Sequence, residues 1–241
     1  VLLRSLAGML CATVEGFEGA LKESAGVETD KVDELFEALL AKPLRGVEAP
    51  RGGEIGALQA VQISFGRGRL CRGGSHAFDL ALFFAADDIA WGWGWLSDPG
   101  SLDPGGTGVF ETRSGIRIVI DGALGMNHGL RVELIGDGGM IQLVKDINQA
   151  QIWTPDEREP WRDFGALSQR SMPTNYPVRS PFLNALDDMI HCIETGAEPR
   201  SSGRDGMRAF EMITAIHLSH RAGKRPIEFP LVERDFEIPS N

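Results

Sequence analysis

The stretch Gly73-Gly74-Ser75-His76-Ala77-Phe78-Asp79-Leu80 is the part of the chain best suited to proton chemistry. A glycine pair lets a ligand or another backbone approach closely, and here it opens a helix. His76 falls in the first helical turn, where the dipole favours a neutral imidazole, the form that accepts a proton. Asp79 follows three residues later on roughly the same side, placed to orient a group nearby. The same pattern suits a capped histidine with a purely structural role, and the residues alone leave both readings open. Three other groups invite a chemical reading and yield a simpler one. His217 and His220 form HxxH, a spacing that can ligate a metal from a helix; no third ligand is evident, so surface histidines near a helix C-terminus are expected. Asp87-Asp88 and Asp187-Asp188 are adjacent pairs whose side chains diverge on a helix, and solvated charge is expected. Trp91, Trp93 and Trp95 alternate with Gly92 and Gly94, which aligns three indoles on one strand face. Such a stripe can stack sugars, although core or interface packing accounts for it more simply.

Several familiar chemistries lack their residues. A dinucleotide site needs GxGxxG between a strand and a helix, so that phosphates meet the helix N-terminus. Four glycine pairs have the first spacing (Gly66/Gly68, Gly92/Gly94, Gly106/Gly108, Gly136/Gly138), but their third positions hold Cys71, Ser97, Glu111 and Ile141. There is no Walker A loop, GxSxG elbow, HExxH or EF-hand loop. The 24 Lys and Arg against 34 Asp and Glu give a net charge of −10, which argues against a nucleic-acid surface. Cys11, Cys71 and Cys192 lie far apart with no CxxC pair, which fits a reducing cytoplasm rather than a disulfide framework or zinc ribbon. No run approaches the ~20 apolar residues of a membrane span, so no membrane partner is expected.

The periodicities on either side of His76 give the elements that would position it. Residues 1–42 read as helical and residues 43–53 as a linker or exposed loop, so a helical segment at 1–50 is expected to precede a domain at 51–241. Strands are expected at Leu58–Phe65, Ile89–Leu96, Thr107–Thr112, Ile116–Asp121, Leu130–Ile135, Met140–Val144 and Gln151–Trp153, with a helix at Gly74–Phe84. Tight turns at Ser114-Gly115 and Asp137-Gly138-Gly139 imply antiparallel pairing. Residues 154–180 read as a long functional loop. Ser180 and Pro181 open a helix with a buried stripe of Phe182, Ala185, Leu186, Met189, Ile190 and Ile193, ended by Gly196. A last helix spans about Asp205 to Ala222, burying Met207, Phe210, Ile213 or Thr214, and Leu218, with Gly223 as its stop; Ile227–Leu231 suits an edge strand. The whole is an α+β fold: a mixed, mostly antiparallel open-faced sheet with helices on one face.

Three stretches in order resemble the Gfo/Idh/MocA oxidoreductases, NAD(P)-dependent sugar and polyol dehydrogenases. Gly53-Glu54-Ile55-Gly56-Ala57-Leu58 is similar to the turn entering the first strand of that family's C-terminal domain. Gly74-Ser75-His76-Ala77-Phe78-Asp79-Leu80 is similar to its G-x-H-x-x-D-L helix start, and residues 131–139 with 181–230 resemble its closing hairpin and helix pair. The resemblance covers about residues 50–235. It implies His76 as the catalytic histidine and a sugar or polyol as substrate; Arg72 and Asp79, beside it in the sequence, are expected to bind that substrate. It also implies NAD or NADP in the complete enzyme, none for this chain alone, and a homo-oligomer joined through the open sheet face. The chain departs from the pattern in three places. The preceding Rossmann domain is absent, and with Val1 in place of a starting Met a truncated chain is expected. Ala41-Lys42-Pro43 imitates the family's Glu-Lys-Pro but ends a helix, lacks the Glu and lies too close to Gly53, so Lys42 carries no role. Arg72 stands where many members have Asp four residues before the histidine; it suits an anionic substrate group or a solvated charge. The alternative to a dehydrogenase half is a non-catalytic carbohydrate-binding or assembly module that has lost its cofactor domain.

Overall fold

The structure is a computed structural model that describes residues 55–66, 69–124, 129–144, 149–156, 167–171 and 181–232. The helix expected over residues 1–42, the linker at 43–53, Lys42, Ser180 and the Phe182 side chain lie outside the described residues. Backbone contacts divide the chain into two compact units. One holds the sheet and two helices; the other contains residues 175–202.

Alternating apolar residues build the sheet. Its strands are β1 (Leu58–Gly66), β2 (Ile89–Leu96), β3 (Gly106–Thr112), β4 (Arg117–Leu124), β5 (Leu130–Gly136), β6 (Met140–Val144), β7 (Gln149–Pro155), β8 (Leu167–Ser171) and β9 (Ile227–Glu228). They lie in the order β8-β7-β6-β5-β1-β4-β3-β2-β9. Among these strands β1 and β4 pair in parallel, and every other neighbouring pair is antiparallel. The α+β class with a mixed, mostly antiparallel sheet holds. Residues 167–171, expected within a loop, instead form β8 and pair with β7.

The period-2 pattern sorts each strand into two faces. One face carries Val61, Ile63, Phe110, Ile118, Ile120, Val132, Leu134, Ile141 and Ile152, all essentially buried. Helices α1 (Ser75–Ala85) and α3 (Gly203–Arg221) pack against the β1–β4 part of the sheet. Glycines set how close α3 comes. A Cβ on Gly108 would lie 2.6 Å from the Phe110 ring and 2.7 Å from Ile216 Cδ1, and one on Gly94 would meet Ile216 and the Thr107 carbonyl. These glycine pairs therefore form a bed for a helix rather than a cradle for phosphates.

That bed changes which face of α3 is buried. Ala209, Met212, Ile213, Thr214, Ala215, Ile216, His217 and Ser219 turn inward, while Met207 and Phe210, expected in the core, stay 44% and 38% exposed. The glycines make room for Ile216, and the face that carries it turns inward. The helix also closes the outer edge of β2. Beyond the short pairing with β9, the Gly94 amide donates to Ser219 Oγ (3.0 Å) and the Leu96 amide to His220 Nδ1 (3.2 Å).

In the other unit, α2 (Pro181–Thr195) ends at Gly196, whose φ of +73° permits the reversal. Its expected buried stripe is not buried: Met189, Ile190 and Ile193 are 54%, 43% and 76% exposed. Asp188 accepts from the Arg200 amide at 3.0 Å and faces its guanidinium, so it braces the turn after α2 instead of standing in solvent.

Candidate active site

The turn between β1 and α1 presents His76, and its geometry is tightly specified. Gly74 is the N-cap of α1, and its amide donates to the Arg69 carbonyl at 2.9 Å. A Cβ there would lie 2.7 Å from the Leu70 carbonyl oxygen and 2.9 Å from the Phe65 ring, so the turn needs glycine for close approach. The loop between β2 and β3 reaches under the turn. Asp103, 3% exposed, accepts from the Cys71 amide (2.9 Å) and the Arg72 amide (3.0 Å), one carboxylate oxygen each, and the Leu70 amide donates to Pro104 O at 3.1 Å. Partly buried backbone donors are thereby satisfied by a charged acceptor, the stronger kind of hydrogen bond.

His76 is the second residue of α1 and is exposed to solvent. Asp79, half-buried one turn later, shares its electrostatic neighbourhood. Burial and then the carboxylate of Asp205, in the first turn of α3, raise the Asp79 carboxyl above its usual range, while His76 opposes the rise. Arg72 is exposed in the turn before the helix. The structure thus brings His76, Asp79 and Asp205 together, and sets Arg72 on the same buttressed turn. Cys71 is no nucleophile: burial, then Asp103, pushes its thiol up to about 12.

The remaining candidates are structural. His217 is 8% exposed rather than at the surface as expected; burial first, then the charge of Arg221, lowers its pKa to about 4. His220 serves the β2 edge. Among the described residues no cluster of His, Cys, Asp and Glu has the arrangement to hold a metal ion. Asp87 and Asp88 are not free solvated charges either. Asp87 accepts from the Ser114 and Asp88 amides (2.7 and 2.8 Å), and Asp88 pairs with Arg208 at 2.8 Å. Trp91, Trp93 and Trp95 lie half-exposed on the sheet face opposite α1 and α3. The rings of Trp93 and Trp95 are 5.5 Å apart, and Lys224 Nζ lies 5.7 Å from the Trp95 ring centre.

Asp103 and Asp205 were missed in the sequence. Asp103 stands in Leu102-Asp103-Pro104-Gly105, which signals only a turn, and Asp205 signals only a helix start.

The family model described as "Oxidoreductase family, C-terminal alpha/beta domain" matches residues 95–229, more than half of the sequence. The chain belongs to the Gfo/Idh/MocA oxidoreductase family. Solved structures of such oxidoreductases share its fold. An oxidoreductase domain protein from Kribbella flavida is 19% identical, with 74% of this chain and 61% of that one covered at a TM-score of 0.58. The aldose-aldose oxidoreductase from Caulobacter crescentus complexed with glycerol is 20% identical, with 73% and 57% covered and a TM-score of 0.59. The WlbA dehydrogenase from Bordetella pertussis in complex with NADH and UDP-GlcNAcA is 18% identical, with 74% and 57% covered and a TM-score of 0.55. This Gfo/Idh/MocA chain spans about three fifths of the length of those structures. No curated protein matches its sequence.

The family implies a nicotinamide cofactor, and the described residues do not fit one. Gly92, Gly94, Gly106 and Gly108 lie within strands, and Gly136 and Gly138 lie at the β5–β6 hairpin. None of these six forms the strand-to-helix turn that a pyrophosphate requires; Gly66 ends β1 ahead of α1, but Cys71 holds the third position of that pair and Gly68 lies outside the described residues. No described helix is long and apolar enough to cross a membrane.

Proposed function

We propose that this chain is the substrate-side and assembly portion of an NAD(P)-dependent dehydrogenase that oxidises a secondary alcohol of a sugar or polyol. The observation that carries the reading is the exposed His76 at the start of α1, on a turn held by the buried Asp103, in a chain of this oxidoreductase family. His76 accepts the hydroxyl proton of the substrate, and Arg72 and Asp79 bind the substrate around it. In the complete enzyme NAD or NADP would supply the hydride acceptor, and this chain alone is expected to bind neither. NADH and UDP-GlcNAcA on the WlbA dehydrogenase, and glycerol on the aldose-aldose oxidoreductase, support a sugar-like substrate. The protein acts in the cytoplasm as a homo-oligomer whose subunits meet through the open sheet face.

The test is turnover of a panel of sugars and polyols by the protein expressed from its full reading frame, with NAD+ and with NADP+. His76→Ala should lower kcat by about 10²–10⁴, the usual worth of a general base. Near wild-type turnover by that variant removes His76 from the chemistry.

A further inference from the structure

Two guanidiniums on the turn that presents His76 are left unneutralised. Three other arginines of the fold find acids: Arg208 pairs with Asp88 at 2.8 Å, Arg131 with Glu133 at 2.8 Å, and Arg200 faces Asp188. Arg69 and Arg72 are exposed and make no ion pair among the described residues, in a protein of net charge −10. The carboxylate bonded to this turn, Asp103, is already committed. Both its oxygens accept backbone amides, one of them that of Arg72 itself. The backbone under the guanidinium is therefore fixed while its charge stays available, so less freedom is lost when it captures an anion. Between Arg72 and His76 lies Ser75, whose hydroxyl is buried without a hydrogen-bond partner among the described residues. The neighbouring carboxyl that would repel an anion, Asp79, is half-buried and sits one helical turn beyond His76.

We propose that Arg72 selects a substrate carrying an anionic group, a carboxylate or a phosphate, and grips it while His76 reaches a hydroxyl elsewhere on the same molecule. The substrates are then sugar acids or sugar phosphates rather than neutral sugars and polyols. This rests on the dehydrogenase reading above and narrows its substrate class. A planar guanidinium meets a carboxylate or phosphate through two parallel hydrogen bonds, a match that neither an amide nor a lysine reproduces.

Matched pairs test it in the protein from the full reading frame: a uronate against its aldose, an aldonate against its alditol, and a sugar phosphate against the free sugar. The anionic member of at least one pair should have the higher kcat/KM, and which pair shows it separates carboxylate from phosphate. Arg72→Gln should raise the KM for that anion roughly 10- to 100-fold, the range of one charge-assisted contact pair, and erase the preference. Arg113→Gln, at an exposed arginine on the β3–β4 hairpin, should leave the preference intact. Neutral members used equally well or better overturn the proposal. So does an Arg72→Gln effect on the KM of the nicotinamide cofactor alone, which would assign the guanidinium to a cofactor phosphate. Titration of the same protein with D-glucuronate, D-glucose and D-glucose 6-phosphate reads Arg72 apart from turnover. If no pair is oxidised, the dehydrogenase reading falls. Preferential binding of an anion that is lost in Arg72→Gln then still upholds the role of Arg72, and equal binding ends it.

Discussion

Among single residues, the start of α1 divides into a group that faces solvent and a group that holds it there. His76 is exposed, and Asp103 satisfies the amides of the turn beneath it. Asp103→Ala should therefore destabilise the fold by about 1–3 kcal/mol in urea unfolding, since two partly buried amides lose a charged acceptor. An unchanged midpoint would show that water replaces the carboxylate without loss. A second histidine has a different consequence: the buried His217 must be neutral in the fold. Its pKa drops from 6.5 in the unfolded chain to about 4, through burial and then Arg221, with His220 adding to the drop and Asp103 opposing it. Between those values the unfolded chain binds the extra proton, so the contribution is complete above pH 6.5 and is lost as pH falls toward 4. The full effect is about 3 kcal/mol at most. Unfolding free energies at about pH 7 and about pH 4.5, on either side of most of this titration, should show a smaller acid loss for His217→Gln than for the parent. Equal losses would assign the acid sensitivity elsewhere. His76, Arg72 and Asp79 were legible in the sequence because they share one turn and the helix it opens. Asp103 and Asp205 were not, because the contacts that give them meaning join residues far apart in the chain, as with the 32 positions between Cys71 and Asp103.

Among the strands and helices, β2, β6 and α2 have the bounds their patterns predict, since strand alternation and a Pro–Gly bracket are local signals. The faces of the helices were harder to read. An apolar arc on α3 favours Met207 and Phe210, but the sheet beneath offers glycines, and the face that carries Ile216 settles on them instead. β8 was hidden for a related reason: Leu167-Ser168-Gln169-Arg170-Ser171 has no apolar alternation and becomes a strand by pairing with β7. The glycine bed makes a direct prediction. Gly108→Val places a branched side chain where Phe110 and Ile216 already pack, so α3 must lift or the rings must shift. Overpacking of this kind costs about 1–3 kcal/mol. Urea unfolding should register that loss, and a variant as stable as the parent would mean α3 does not rest on β3.

For the sheet taken from edge to edge, the face opposite α1 and α3 bears on assembly. Cross-strand register runs Trp93, Val109, Val119, Gln62, Glu133, Gln142 and Gln151 along one row, and Trp91, Glu111 and Arg117 along the next. Several polar groups on this face already bond one another. Trp91 Nε1 donates to Glu111, Thr107 to Asp121 at 3.0 Å, and Gln142 and Arg131 to Glu133 at 3.0 and 2.8 Å. A partner therefore need not supply their counterparts, and what remains to be covered is apolar: the indoles of β2 with Val109 and Val119 beside them, half-exposed. An antiparallel sheet can leave one face to water, but such a face then alternates to polar residues, which β2 itself, with three indoles on this side, does not do. In the proposed homo-oligomer a second copy of the chain would cover this aromatic surface with its own. Sedimentation at micromolar concentration should accordingly report an oligomer, and Val119→Arg should shift it toward monomer, because a buried charge in the contact lacks a partner. Circular dichroism on that variant should be unchanged, since Val119 faces away from α1 and α3. A parent chain that sediments as a monomer, or a Val119→Arg variant that still assembles, would take the open face out of the assembly.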